Sequence, residues 1–428
     1  MASLTKRLRV HGTVRVPGDK SISHRALILS ALAHGSSRID NILESADVSS
    51  TAEALRALGA SIPPLSSKMY VEGRELHSPR DSLDCGNSGT SARLLAGVVA
   101  GAGLKATFIG DDSLTARPMG RVAEPLRAMG ARVDLAPHGG LPMTVEGAGT
   151  QEGGKLIAID YASSTASAQV KSAILLAAVA GGVRARVLEP YLSRDHTERM
   201  LAARGVQVSR KGTAVSVPPA QTIKPLNVSV PADPSSAAFL AALAILSDEG
   251  ELRLTDVCLN PTRMGFVDVL RRMGANLEIE DQREDGGEPV GTIVARPSRL
   301  RGVAIAEREI PSLIDELPLF ACVATRAEGV SVVSGAGELR VKESDRIAAI
   351  VQNLRDLGAD AEEMPDGFRV TGGGGTLSGT AQTRRDHRIA MAFGVLGALP
   401  GNSIKVDDPA CVVVSFPQFW KELARVVQ

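Results

Sequence analysis

Six basic residues stand where loops rich in Gly, Ser or Pro run into helical stretches: Lys20, Arg25, Arg117, Lys342, Arg346 and Arg388. The first such stretch reads Val16-Pro17-Gly18-Asp19-Lys20-Ser21-Ile22-Ser23-His24-Arg25 and continues into Ala, Leu and Ile. A helix start carries unsatisfied N–H groups and partial positive charge, so it attracts an anion, and Lys20 and Arg25 suit it to a doubly charged group. Arginine favours planar, two-pronged binding of carboxylate and phosphate. Two carboxylates stand among these cations: Asp315 in Pro311-Ser312-Leu313-Ile314-Asp315-Glu316-Leu317-Pro318, and Glu343 directly after Lys342. In a cation-rich setting such groups serve as general base and general acid, with their environments pushing their pKa values apart. Their plainer role is to neutralise the cations while no ligand is bound. Converging cations repel one another unless polyanions fill the site, which points to substrates with several phosphate and carboxylate groups. Each cation taken singly has a solvated surface role as its alternative.

Other helix entrances add neutral groups. Gly86-Asn87-Ser88-Gly89-Thr90-Ser91-Ala92-Arg93 is a tight glycine turn that lets backbone N–H groups approach a ligand. Arg117 precedes Pro118, a helix-starting residue type. Ser163-Ser164-Thr165-Ala166-Ser167-Ala168-Gln169-Val170-Lys171 offers hydroxyls and an amide to hydroxyl or phosphate oxygens. Val341-Lys342-Glu343-Ser344-Asp345-Arg346 puts Lys342 and Arg346 four residues apart, on one face if the run is helical. Arg385-Asp386-His387-Arg388 opens the last apolar helix. Gly18-Asp19-Lys20-Ser21 lacks the spacing of a phosphate loop. Gly372-Gly373-Gly374-Gly375 lacks a dinucleotide-binding context and reads as a hairpin turn.

A repeated unit must position these residues. A helix-ending phrase recurs as Leu55-Arg56-Ala57-Leu58-Gly59-Ala60, Leu126-Arg127-Ala128-Met129-Gly130-Ala131, Leu201-Ala202-Ala203-Arg204-Gly205-Val206, Leu270-Arg271-Arg272-Met273-Gly274-Ala275 and Leu354-Arg355-Asp356-Leu357-Gly358-Ala359. The copies lie about 70 to 85 residues apart, and each ends on a Gly suited to a left-handed helix stop. Between them run helices apolar on nearly every face, starting near Asp19, Asn87, Ser164, Asp233, Ile314 and Asp386, which predicts burial. Each unit reads β-α-β-α-β-β. The sixth ends on its outer helix after Phe416-Pro417, so the opening strands, Leu8–Val10 and Thr13–Val16, are expected to supply what it lacks. This predicts an α/β fold with one lobe over residues 16–229 and a second over 1–15 plus 230–428, three repeats each. Crossovers are expected near 15–19 and 229–234, with a ligand cleft between the lobes.

Bulk properties narrow the function. Lys plus Arg equals Asp plus Glu at 48 each, so no net charge draws the chain to nucleic acid or membrane. Aromatics at 3% leave few base-stacking platforms. No apolar stretch reaches the ~20 residues of a membrane span, and the start, Met1-Ala2-Ser3-Leu4-Thr5-Lys6, lacks a signal-peptide core. Cys85, Cys258, Cys322 and Cys411 form no CxxC pair and the histidines no ligand spacing, so reduced thiols in a cytoplasm are expected and no metal site.

The phrases PGDKSISHRAL, GNSGTSARLL, TARPMGR, SAQVKSA, VKESDR and DHRIAM stand in an order that resembles the 5-enolpyruvylshikimate-3-phosphate synthase family over essentially the whole chain, with SAQVK and SRDHTE similar to its class II branch. The resemblance implies a two-domain inside-out α/β barrel, with three βαβαββ units per domain. It implies transfer of the enolpyruvyl group of phosphoenolpyruvate to the 5-hydroxyl of shikimate 3-phosphate, on the way to chorismate and aromatic amino acids, by a cytoplasmic monomer without metal or organic cofactor. By the same resemblance, Lys20 touches both substrates. Ser21, Arg25, Ser167, Ala168, Gln169, Arg194, Asp315 and Lys342 bind shikimate 3-phosphate, and Gly89, Arg117, Gln169, Arg346 and Arg388 bind phosphoenolpyruvate. Asp315 takes the hydroxyl proton, and Glu343 with Lys20 protonates the enol carbon. The chain departs from many relatives in having Val414 where they carry Lys, which shifts load to Lys20 and Glu343. Gly89, where insensitive relatives have Ala, implies competition by glyphosate. The rival UDP-N-acetylglucosamine enolpyruvyl transferase usually carries a loop Cys where Asp112 stands, which disfavours it. A scaffold that only binds phosphorylated ligands or RNA ends is disfavoured by the Asp315 and Glu343 pair.

Overall fold

In the computed structural model, residues 7–150 and 154–427 are described. Helices dense in Ala, Leu, Ile and Val have no face to offer water and are enclosed: Lys20–Leu32, Gly89–Gly101, Ala168–Ala180, Pro234–Leu246, Leu317–Ala324 and His387–Gly397. Asp19, Ser88, Ser167, Asp233 and Asp386 cap five of them, each side chain accepting from a backbone N–H two or three residues on. The fifth enclosed helix is instead led in by a tight 3₁₀ turn, Ile314–Glu316.

Half-buried helices alternate with these: Ala46–Ala57, Gly120–Ala128, His196–Ala203, Gly265–Arg272, Arg346–Asp356 and Phe419–Val426. The glycines after the first five, Gly59, Gly130, Gly205, Gly274 and Gly358, all have positive φ, between +85° and +102°. In four copies the Arg three residues before that Gly sends its Nε to a carbonyl six residues ahead: Arg56 to Ile62, Arg127 to Val133, Arg271 to Leu277 and Arg355 to Ala361, at 2.7–3.3 Å. The guanidinium thereby clasps the end of the helix to the extended segment that follows. In the third copy Ala202 occupies that place, and Arg204 turns inward to Ser30.

Gly358 isolates the backbone contribution. Its φ is +96°, and a Cβ there would meet nothing within 4 Å. Gly358→Ala is therefore expected to cost about 1–2 kcal/mol from backbone strain alone, read as a lower urea midpoint at unchanged slope. An unmoved midpoint would mean that the helix stop does not need glycine.

Three repeats share one sheet plan. Leu83–Asp84 runs parallel to Lys105–Ile109, which pairs antiparallel with Met143–Glu146, and that strand with Arg132–Leu135. The sheets built on Ala185–Leu188 and Val330–Val333 follow the same order. The first and fourth repeats take their parallel edge strand from elsewhere in the chain. Val228–Ser229 completes the sheet of Gly35–Asp40 and Lys68–Gly73. Gly12–Val14 completes the sheet of Leu252–Cys258, Glu288–Arg296 and Asn276–Asp285.

The assignment of the opening strands to the sixth repeat is thus corrected: among the described residues a single bridge, Val10 to Val427, forms there, and Gly12–Val14 serves the fourth. The residues leading into helix Pro234–Leu246 include Pro231, which lacks the N–H a ladder requires, and they make a single bridge, Ala232 to Val257. The strand must therefore come from the N-terminal segment. The run 372–375 is likewise no hairpin turn, because it joins Gly367–Thr371 to Ser378–Ala381 in a different sheet.

The chain forms two compact units. One comprises Gly18–Val230 with Glu284–Glu288, and the other the residues up to Pro17 with Pro231–Arg283 and Pro289 onward. Among the described residues no helix is long and apolar enough to cross a membrane.

Candidate active site

In the unit of Gly18–Val230, Lys20 is the first residue of its helix, and its ammonium pairs with Asp47 on the neighbouring helix. Five residues on, the buried Arg25 is held by Thr197 Oγ1 at 2.7 Å, Ser172 Oγ at 2.8 Å and the Ser21 carbonyl at 2.9 Å. Burial pulls its guanidinium down to about 10, with Glu198 and Asp19 opposing, so it stays cationic at neutral pH. Arg194, half-buried, is close enough for its charge to press on Arg25.

Gly89 opens helix Gly89–Gly101 behind the Ser88 cap. Arg117 reaches Asn87 Oδ1 at 2.6 Å and Ser113 Oγ at 3.2 Å, and Asn87 in turn donates to Asp111. Gln169 accepts from Arg93 Nη1 at 2.7 Å and donates to Thr90 Oγ1 at 3.0 Å. Ser167 caps helix Ala168–Ala180 through its hydroxyl, while its own N–H donates to Glu189 at 3.0 Å. Gly89, Arg117 and Gln169 therefore sit in one neighbourhood joined through Arg93, since a Cβ on Gly89 would lie 2.8 Å from Arg93 Nη1 and 3.5 Å from Arg117 Nη1. Lys20, Ser21, Arg25 and Arg194 form a second group. Helix Ala168–Ala180 touches both, by Gln169 on one side and Ser172 on the other.

In the other unit, Arg346 is fully buried and satisfied by three carboxylates. Its Nε and Nη2 take the two oxygens of Asp386 at 2.7 and 3.2 Å, Nη2 also reaches Glu343 at 2.6 Å, and Nη1 reaches Asp315 at 3.4 Å. Burial opposes the charge on this guanidinium, but Asp386, Glu343 and Asp315 outweigh it and hold the side chain firmly protonated. Burial works against the Asp386 carboxylate as well, and Arg346 overrides it, leaving Asp386 below the usual carboxylate range. Arg388 donates to the Asp315 carbonyl at 3.1 Å, with its other nitrogen 3.6 Å from the Asp315 carboxylate.

Two expectations change. Lys342 and Arg346 do not share a helical face: Lys342 ends the 3₁₀ turn Gly337–Val341 in an extended conformation, and the helix starts only at Arg346, capped by Asp345. Nor are the cations uncompensated, because Lys20, Arg346 and Arg388 each already lie against carboxylates. Asp315 and Glu343 take the neutralising role here.

Asp386, Arg93, Asp47 and Glu189, which hold the candidate residues Arg346, Gln169, Lys20 and Ser167, are absent from the site residues expected from sequence. Asp386 had a signal, the acidic N-cap before an apolar helix, and Arg93 lies one helical turn beyond Gly89. Asp47 and Glu189 had none, because their partners are distant in sequence. Val414 is half-buried in the turn Pro409–Val414, and Asp112 opens a short helix, Asp112–Thr115. Burial raises the thiols of Cys85 and Cys411 to about 12, so neither is a nucleophile at neutral pH.

Residues 4–423 match the family model described as EPSP synthase (3-phosphoshikimate 1-carboxyvinyltransferase). The 3-phosphoshikimate 1-carboxyvinyltransferase of Sulfurihydrogenibium sp. (strain YO3AOP1) is 46% identical over 432 residues, 99% of each chain. That of Aquifex aeolicus (strain VF5) is 46% identical over 436 residues, 100% of each. Among solved structures, an EPSP synthase from Acinetobacter baumannii superposes with a TM-score of 0.85 at 37% identity, covering 99% of this chain and 98% of that one. The enolpyruvyl transferase NikO from Streptomyces tendae, at 18% identity and a TM-score of 0.75 over 98% of this chain and 96% of its own, shares the fold alone. Since sequence and fold both match over nearly the full length, this chain belongs to the EPSP synthase family.

Proposed function

We propose that this chain transfers the enolpyruvyl group of phosphoenolpyruvate to the 5-hydroxyl of shikimate 3-phosphate and releases phosphate, as a cytoplasmic monomer serving chorismate and aromatic amino acid synthesis. The observation that carries this reading is that Asp315 and Glu343 are held on one buried guanidinium, Arg346, in a chain that matches the family along nearly its full length. Arg346 and Arg388 offer donors to the carboxylate of phosphoenolpyruvate, with Gly89, Arg117, Gln169 and Lys20 taking the rest of it. Ser21, Arg25, Ser167, Ala168, Gln169, Arg194 and Lys342 take shikimate 3-phosphate with Lys20.

A substrate carboxylate that occupies the Arg346 and Arg388 donors loosens their hold on Asp315 and Glu343 and frees both for proton transfer. Asp315 then accepts the proton of the 5-hydroxyl while the hydroxyl oxygen bonds to C2 of phosphoenolpyruvate. Glu343, released by Arg346, takes up a proton from solvent, and the electron pair of the C2–C3 double bond receives that proton at C3, assisted by Lys20. In the tetrahedral intermediate a C3 proton returns to Glu343, the double bond re-forms, and the C2–O bond breaks as phosphate leaves with the proton that Asp315 had taken. Phosphate release measured with phosphoenolpyruvate and each acceptor tests this: turnover with UDP-N-acetylglucosamine in place of shikimate 3-phosphate overturns the acceptor, and binding without turnover overturns the enzyme.

Gly89 supports competition by glyphosate with phosphoenolpyruvate. In Gly89→Ala the new methyl meets Arg93 Nη1, the movable end of a long side chain, so Arg93 must shift and disturb its bond to Gln169. The variant is expected to raise KM for phosphoenolpyruvate about tenfold and to weaken glyphosate further, since small displacements are costly in a preorganised site. No inhibition of the unaltered chain at millimolar glyphosate would sink the proposal.

A further inference from the structure

The unit of Gly18–Val230 encloses a charge network that the mechanism above does not use. Lys171 lies in helix Ala168–Ala180, is almost wholly buried, and places its ammonium 2.8 Å from Glu189 and 2.9 Å from Glu198, both also buried. Burying three ionised groups is costly, and a well-packed apolar trio would hold a fold at least as well, so stability alone gives a weak reason for the network. Geometry gives a stronger one. One oxygen of Glu189 accepts from the Ser167 N–H at 3.0 Å, and the other accepts from Ser193 Oγ at 2.9 Å while facing Lys171. A single carboxylate therefore grips the loop that ends at Ser167, the cap of helix Ala168–Ala180, and the loop that continues into Arg194, while Gln169 is held separately by Arg93 and Thr90. Lys171 fixes it from the helix behind and also reaches the Ser193 carbonyl at 3.4 Å.

We infer that Glu189, clamped by Lys171, is a positioning residue that sets the spacing between the Ser167 and Arg194 loops and so preorganises the phosphate-binding side of the acceptor site. The inference rests on the proposed function, which gives Ser167 and Arg194 to shikimate 3-phosphate; Arg194, the cation of the pair, is the one suited to its phosphate. Glu189 itself touches no substrate. Its carboxylate faces inward onto Lys171, Ser193 and the Ser167 amide, and its effect is conveyed by the backbone it holds.

The test is titration calorimetry and steady-state kinetics on the full chain carrying Glu189→Gln, Glu189→Asp and, separately, Ser193→Ala. Glutamine keeps an acceptor for Ser167 but turns an amide group toward the Lys171 ammonium, so the grip on the Ser193 side fails. Glu189→Gln is expected to weaken shikimate 3-phosphate binding about tenfold, with KM for phosphoenolpyruvate within about twofold of normal. Ser193→Ala, which removes one strand of the grip and leaves the ion pair, should produce a smaller loss in the same substrate, and Glu189→Asp should recover part of it. General loosening of the fold would move both substrates together, so the split between them is the diagnostic readout. If Glu189→Gln fails to fold, Ser193→Ala still decides: unchanged affinity for shikimate 3-phosphate overturns the inference. Equal losses for both substrates overturn it too. Failure of the unaltered chain to bind shikimate 3-phosphate at all would instead overturn the proposed function, which separates the two.

Discussion

Asp315→Asn is expected to lower kcat by about 10²–10⁴-fold while leaving shikimate 3-phosphate bound, the loss typical of removing a positioned general base. Asparagine preserves the volume of the side chain and can still accept a hydrogen bond, but it cannot take the proton of an attacking hydroxyl. The surroundings should survive the exchange. Arg388 holds the Asp315 backbone carbonyl at 3.1 Å, a contact indifferent to the side chain. Arg346 keeps its two-pronged hold on Asp386 and its bond to Glu343. Kd for shikimate 3-phosphate by calorimetry and kcat by phosphate release check the claim together. Retained binding with lost turnover assigns Asp315 to the chemical step. Undiminished turnover would leave it a counter-ion of Arg346 and Arg388 and nothing more. Glu343→Gln should lose turnover in the same way, since an amide cannot deliver a proton to the enol carbon.

What could be read from sequence was what short stretches determine by themselves. The all-round apolar runs could only be enclosed helices, and the side chains of Asp19, Ser88 and Ser167 advertise where three of them begin. The recurring Gly after each outer helix reports a backbone conformation, and Gly59, Gly130, Gly205, Gly274 and Gly358 all adopt it. Pairings between distant segments were illegible. Nothing local to Gly12–Val14 says that it will lie beside Leu252–Cys258, and nothing near Asp47 names Lys20 as its partner. The same limit hid Glu189, whose carboxylate meets Ser167 only because two loops of one repeat converge. Lys342 was misplaced for a different reason. Four-residue spacing implies a shared face only inside a helix, and Asp345, an N-cap, begins the helix one residue before Arg346.

Replacing Arg346 by methionine should be the most damaging single change outside the apolar core, costing about 3–5 kcal/mol near neutral pH, the range for breaking a buried ion pair from one side. Asp386 is as deeply enclosed as Arg346, and without the guanidinium its charge has no comparable partner. The pH dependence distinguishes this cause from a simple packing defect. With Arg346 present, Asp386 titrates below its ordinary range, so the pair stabilises the fold fully above the unfolded carboxylate value of about 4 and loses that contribution as pH falls through the lower folded value. Without Arg346, burial and the neighbouring Glu343 charge act together to drive the pKa of Asp386 upward, so the variant is relieved by protonation at mildly acidic pH. The stability gap between the two proteins should therefore be widest near neutrality and narrow as pH is lowered, in urea unfolding followed by circular dichroism. A packing defect would give a gap that does not change with pH. Arg346→Lys should fall between them, since one ammonium cannot span Asp386, Glu343 and Asp315 at once. It should also lose turnover beyond its loss of stability, because Asp315 and Glu343 would no longer be held at a common distance from the group that receives the substrate carboxylate.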